Sequence, residues 1–138
     1  IEYVTEKRGV RFYNDSKGTN PDAAIQGIRA MNRPTLLIGG GYDKQSTYDE
    51  WNDAFDGNVK KLVLIGQTAE KIEVCAHKHG FMDTVRCETF EEAIRYCYDH
   101  AVSGDAVLLS PACASWGMFP NYEERGRIFK EIVRGLEE

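Results

Sequence analysis

The chain has 138 residues, 42% hydrophobic and 28% charged, with a formal net charge of −5. This is the composition of one soluble α/β-sized globular domain, residues 1–138, with enough chain to bury a core. The acidic balance excludes general binding to nucleic acid or anionic membrane, and no apolar stretch approaches the ~20 residues of a transmembrane helix.

Taken in chain order, Tyr3-Val4 and Val10–Tyr13 flank Glu6-Lys7-Arg8-Gly9 and predict a β-hairpin turning at the glycine. Asn20 and Pro21 then open a helix to about Met31, Asn as N-cap and Pro at the first helical position. Ala24, Gly27, Ile28 and Met31 follow the helical period. Thr35–Ile38 reads as a short buried strand ending in Gly39-Gly40-Gly41. Thr47 with Glu50 predicts a capping box for a helix carrying Tyr48, Trp51 and Phe55.

Leu62–Ile65 is the next apolar strand, followed by a helix from Thr68 to about His79. Asp83–Cys87 is more polar and predicts a peripheral strand. Thr89 and Glu92 cap a helix through Ala101, and Ala106–Leu109 is the last strand. The final helix starts near Asn121 and buries Ile128, Phe129, Ile132, Val133 and Leu136. Continuous apolar strands alternating with amphipathic helices predict an open, mostly parallel Rossmann-like sheet of about six strands, with helices on both faces and an N-terminal hairpin. Ligands of such sheets bind beyond the carboxyl ends of the strands. The loops at Asp15–Asn20, Gly39–Lys44 and Ser110–Tyr122 all follow strands and are expected on that edge.

The first of these loops places a carboxylate, two hydroxyls and an ammonium in Asp15-Ser16-Lys17-Gly18-Thr19, at the mouth of a helix N-terminus. Backbone N–H groups and the helix dipole favour anions there, so the loop suits phosphate or carboxylate, unless it is only a polar capped turn. The glycine run permits close approach of a ligand to the backbone. It is neither a G-x-G-x-x-G nor a Walker A loop. Cys113 is not expected to act as a nucleophile, since His77, His79 and His100 lie on helices away from the loop edge, and G-x-S-x-G is absent. Cys75, His77 and His79 cannot converge on one ion, because positions i and i+2 of a helix face apart; no metal site is expected. Cys75, Cys87, Cys97 and Cys113 fall at unrelated spacings and read as free thiols of a reducing, cytoplasmic setting. Glu124 and Arg125 read as a surface pair.

Asn14-Asp15-Ser16-Lys17-Gly18-Thr19-Asn20-Pro21, then Gly40-Gly41-Tyr42-Asp43-Lys44, then Leu109-Ser110-Pro111-Ala112-Cys113-Ala114-Ser115 running on to Tyr122, Arg125 and Gly126 resemble the C-terminal domain of the Mur ligases, in its D-glutamate-adding branch. The resemblance covers about Val10 to Phe129. It implies part of an ATP-dependent amide ligase of peptidoglycan precursor synthesis. In that reaction the carboxylate of UDP-N-acetylmuramoyl-L-alanine becomes an acyl phosphate that the amine of D-glutamate attacks. The nucleotide-sugar domain and the central domain, with its phosphate loop and Mg2+ ligands, are expected elsewhere in a longer polypeptide. The resemblance assigns Asp15, Lys17 and Thr19 to ATP, with Lys17 catalytic in stabilising negative charge. It assigns Thr19, Lys44, Ser115, Trp116 and Tyr122 to D-glutamate, and leaves Cys113 a packing role. Gly18 stands where Ala is frequent, and Gly117 where Asp is. A Mur-type ligase for another amino acid, or a non-catalytic nucleotide-binding module, are the alternative readings.

Overall fold

The computed structural model describes residues 1–42 and 44–138; Asp43, in the second motif, lies outside the described residues. The hairpin pairs β1 (Glu2–Lys7) with β2 (Val10–Asn14). Its tight turn is Arg8-Gly9, both with positive φ (55° and 76°). That backbone matches the right-handed twist of the strands it joins. The chain then alternates: α1 (Pro21–Ala30), β3 (Thr35–Gly40), α2 (Asp49–Asp53), β4 (Val59–Ile65), α3 (Ala69–Lys78), β5 (Thr84–Arg86), α4 (Phe90–His100), β6 (Ala106–Leu109) and α5 (Tyr122–Arg134).

The six strands form one sheet in the order β1-β2-β6-β3-β4-β5. Only the β1–β2 pairing is antiparallel. The polar β5 stands at an edge, as its composition predicts. Alternate residues of the buried strands serve two cores. Leu37, Leu62, Leu64 and Leu108 pack with Ile28 of α1, Trp51 of α2 and Ile72 of α3. Leu36, Ile38, Val63, Ile65, Val107 and Leu109 pack with Ile94 of α4 and Phe129 and Val133 of α5. Both faces of the sheet are therefore covered, which accounts for strands that are apolar without alternation. Among the described residues no helix is long and apolar enough to cross a membrane.

Helix starts follow the sequence where the cap is free to act. Asn20 accepts from Ala23 N, Thr89 from Glu92 N and Asn121 from Glu124 N. The Thr47 box does not form. Tyr48 occupies the N-cap position of α2 with no side-chain cap, because its ring is buried against Trp51 at 5.9 Å. Thr68 likewise caps nothing in α3. Its hydroxyl instead accepts the N–H of Gly41 at 3.0 Å.

Candidate functional site at the strand carboxyl ends

The three motif loops follow β2, β3 and β6, which are neighbours in the sheet and mutually parallel, so their carboxyl ends lie side by side. Short hydrogen bonds lock the loops together. Asp15 N donates to Leu109 O (2.7 Å), Ala112 N to Gly18 O (2.9 Å), Gly40 N to Pro111 O (2.9 Å) and Tyr42 N to Ala114 O (2.9 Å).

The glycine run serves this locking rather than leaving room for a ligand. A Cβ on Gly39 would stand 3.0 Å from the Trp51 ring, on Gly40 2.1 Å from Ile65 O and on Gly41 2.6 Å from Ala114 O. Protein atoms already fill the space. The sequence expectation of ligand approach at these glycines gives way to a packing reason.

Thr19, Lys44, Ser115, Trp116 and Tyr122 line one cavity of 180 Å3, together with Ala114 and Asn121. Each of the three loops contributes. Among the described residues the lining holds hydroxyls, an amide and one ammonium and no carboxylate, a donor set that suits an anion. The Lys44 ammonium lies 5.0 Å from the centre of the Trp116 ring, and Tyr42 meets that ring edge-on at 5.4 Å. Trp116 thus holds the lysine beside the cavity by cation–π attraction while remaining exposed itself. Gly117 follows with φ 84°, a left-handed conformation that an Asp tolerates better than most side chains.

Asp15 and Lys17 lie on the other side of Tyr122, in an adjoining hollow of 350 Å3 that Ser16, Arg127 and Lys130 also line. Thr19 does not join them there, so the three residues expected around ATP are divided between two recesses. Asp15 is held by Ser110 Oγ, which donates to its Oδ2 at 2.8 Å. The same oxygen packs against Gly18 and Gly27, where a Cβ would come within 3.0 and 2.7 Å. An Ala at position 18 would therefore press on Asp15 and Ser110. Burial raises the Asp15 carboxyl above its usual range, opposed by the Ser110 hydrogen bond and by Lys17.

The sequence reading missed Arg125. It is no surface residue: 1% of it is exposed. Its Nε donates to Ser16 Oγ (2.8 Å), its Nη2 to Ser16 O (2.7 Å) and its Nη1 to Cys113 O (3.1 Å). Ser16 Oγ in turn donates to Tyr122 O at 2.6 Å. One guanidinium so ties the first motif to the third. Burial lowers its pKa to about 10, which leaves it charged at neutral pH. The signal lay in spacing, since Arg125 stands four residues before Phe129 and eight before Val133 on the buried stripe of α5. Glu124 pairs with Arg127 instead.

Cys113 is buried, its thiol 3.3 Å from Tyr48 Oη and 3.4 Å from Thr68 Oγ1. His77 bonds Thr84, His79 meets Asp49 and Asp53, and His100 stacks on Tyr96. None of these contacts reaches Cys113, and the thiol packs.

Fold and site together define an α/β domain with a polar cavity at its loop edge, among three strand ends. The family model described as "Mur ligase, glutamate ligase domain" matches residues 1–113, and the chain belongs to that family. It is 60% identical over 138 residues to the UDP-N-acetylmuramoylalanine–D-glutamate ligase of Lachnoclostridium phytofermentans, a match covering 100% of this chain and 30% of that protein. The ligase of the same name from Thermoanaerobacter sp. is 59% identical, with 99% of this chain and 30% of that protein covered. The chain thus spans 30% of the length of these relatives, and corresponds to their C-terminal part. Among solved structures, the murein peptide ligase of Psychrobacter arcticus superposes with a TM-score of 0.63 at 10% identity, over 100% of this chain and 30% of that one. A domain from a Haemophilus ducreyi protein described as a UDP-N-acetylmuramate:L-alanyl-gamma-D-glutamyl-diaminopimelate ligase gives 0.61 at 13% identity, over 97% and 94%. At such identities these two likenesses concern the fold alone.

Proposed function

We propose that this chain is the amino-acid-receiving domain of an ATP-dependent ligase that joins D-glutamate to UDP-N-acetylmuramoyl-L-alanine in the cytoplasm. The observation that carries the reading is the cavity shared by Thr19, Lys44, Ser115, Trp116 and Tyr122, which brings an ammonium and several hydroxyls together. The identity to D-glutamate ligases supports it. D-glutamate brings two carboxylates and an amine. Lys44 and the Thr19 and Ser115 hydroxyls bind carboxylate oxygens, and Tyr122 walls the pocket. So held, the amine is presented to the activated carbonyl of the second substrate. A C–N bond forms as the C–O bond to phosphate breaks, and the amine gives up its proton. Fixing the amine in place removes much of the entropic part of that barrier.

The adjoining hollow offers ATP the Lys17 ammonium and, in Asp15, an acceptor for a ribose hydroxyl; Arg127 and Lys130 also line it, their charge offset by Glu2 and Glu123. Lys17, exposed at the helix mouth, stabilises negative charge that grows during transfer. The magnesium ligands, like the binding of the nucleotide sugar, are assigned to the rest of the full-length protein, as the family resemblance implies.

Lys44→Ala in the full-length protein tests the reading. A charge-assisted hydrogen bond contributes about 1.5–3 kcal/mol. The variant should raise the KM for D-glutamate roughly ten- to a hundred-fold, with little change for ATP. An unchanged glutamate KM removes Lys44 from the site, and wild-type turnover of L-alanine in place of D-glutamate reassigns the substrate.

A further inference from the structure

On the far side of α2, we propose that Asp49, Cys75 and His79 bind one divalent transition-metal ion of the zinc type. Cys75 on α3 and His79, its C-cap residue, are four residues apart, which brings their side chains to the same side of the helix end. Asp49, the first residue of α2, closes the group across the helix–helix contact. The ligand atoms of all three lie within 4.8 Å of one another. Asp49 Oδ1 is 2.7 Å from His79 Nε2 and 3.8 Å from Cys75 Sγ. Tetrahedral zinc bonds of roughly 2.0–2.3 Å place neighbouring ligand atoms about 3.3–3.8 Å apart, so the trio reaches coordination geometry with small side-chain movements.

Two neighbouring side chains suit a bound ion. His79 Nδ1 meets Asp53 Oδ1 at 3.2 Å, which orients the ring with Nε2 towards the other two ligands. A carboxylate on the outer nitrogen of a ligating histidine fixes its tautomer and raises its basicity. Asn52 Nδ2 donates to Cys75 Sγ at 3.3 Å, a contact that supports a thiolate. The same amide leaves Oδ1 buried with no hydrogen-bond partner, an acceptor suited to a metal-bound water in a fourth position. Asn52, Asp53 and His79 also line an open hollow through which such a water would enter. The Lys78 ammonium, 3.3 Å from Asp49 Oδ1, competes for that carboxylate, but it is 71% exposed and sits on a flexible side chain.

One thiolate, one imidazole and one carboxylate select a borderline-soft ion over magnesium or calcium. His77 of the same C-x-H-x-H string takes no part, being bonded to Thr84. The ion would clamp α2 to α3, and α2 carries the Trp51 ring that supports Gly39 below the ligand loop.

Cobalt titration of the reduced 138-residue chain tests the proposal, because a thiolate ligand gives a sulfur-to-cobalt charge-transfer band. One equivalent of Co2+ should saturate that band and zinc should bleach it. Cys75→Ser should abolish it. Asp49→Asn and His79→Gln should weaken cobalt binding at least tenfold, and His77→Gln should leave it unchanged. Zinc at 100 times its dissociation constant should also raise the folding equilibrium constant about 100-fold in the parent chain and not in Cys75→Ser. No band up to about 1 mM cobalt, or a band that survives Cys75→Ser, overturns the site. These variants avoid every residue lining the anion cavity, so failure here leaves the ligase reading untouched.

Discussion

Replacing Arg125 by alanine should damage the chain more than any other single change outside its apolar core. The guanidinium makes three hydrogen bonds at 2.7–3.1 Å to Ser16 and Cys113, inside the protein. A hydrogen bond to a charged group contributes about 1.5–3 kcal/mol, but part of that sum offsets the cost of burying the charge. Truncation also removes the donor of the Ser16 carbonyl, at about 1–3 kcal/mol for a buried acceptor left unpaired. The net expectation is a loss of about 3–5 kcal/mol. For a chain of this size that corresponds to a fall in Tm of roughly 10–20 °C. Arg125→Met separates the causes: it restores much of the lost volume without donors, so it should recover only a minor part of the deficit. Thermal unfolding followed by circular dichroism reads both variants. A Tm for Arg125→Ala within about 3 °C of the parent would return Arg125 to the role of a surface residue.

Asp15→Asn should stabilise the chain at neutral pH. Burial raises the folded-state pKa of Asp15, so the folded form binds its proton more tightly than the unfolded form. That contribution favours folding at low pH and is lost as pH rises from the unfolded value of 3.8 through the folded one. The variant's Tm should therefore match the parent near pH 3.5 and exceed it at pH 7, while ligase turnover in the full-length protein falls; a difference that does not grow with pH would contradict the burial argument. Gly40→Ala should cost about 3–4 kcal/mol, since φ is 104° and the new Cβ would meet Ile65 O, and a urea midpoint unchanged from the parent would refute that fit. Lys17→Ala in the full-length protein should lower kcat more than it raises any KM, and wild-type kcat would leave Lys17 without a part in the transition state.

The sheet was legible because its strands are unbroken apolar runs. Leu36–Ile38, Leu62–Ile65 and Val107–Leu109 are buried on both faces, which is the pattern of a parallel sheet covered by helices on each side. Asn20 and Asn121 were legible as caps, because nothing competes for their side chains. Thr47 and Thr68 carry the same local signal but lose to tertiary demands, the burial of Tyr48 and the amide of Gly41. The residues of the cavity came from motif resemblance. Their meeting in space depends on β2, β6 and β3 being adjacent, an order the sequence does not spell out. Arg125 was hidden by its charge, although its spacing marked it as inward-facing. The Asp49–Cys75–His79 group was hidden because its geometry arises only when α2 docks on α3.

The position of β6 bears on how the chain acquires its shape. This strand lies between β2 and β3, yet it is the last of the six to be synthesised. Until residues 106–109 emerge, the hairpin has no neighbour to join, and β3 presents an open edge beside β4. Ribosome-bound intermediates therefore hold two separate sheet fragments, each with an unpaired strand edge. Closure is a single late event that seats β6 and draws its loop against the first motif at once. Nascent chains stalled before Ala106 should be cut readily by protease at the hairpin, and those stalled well beyond Arg134 should resist.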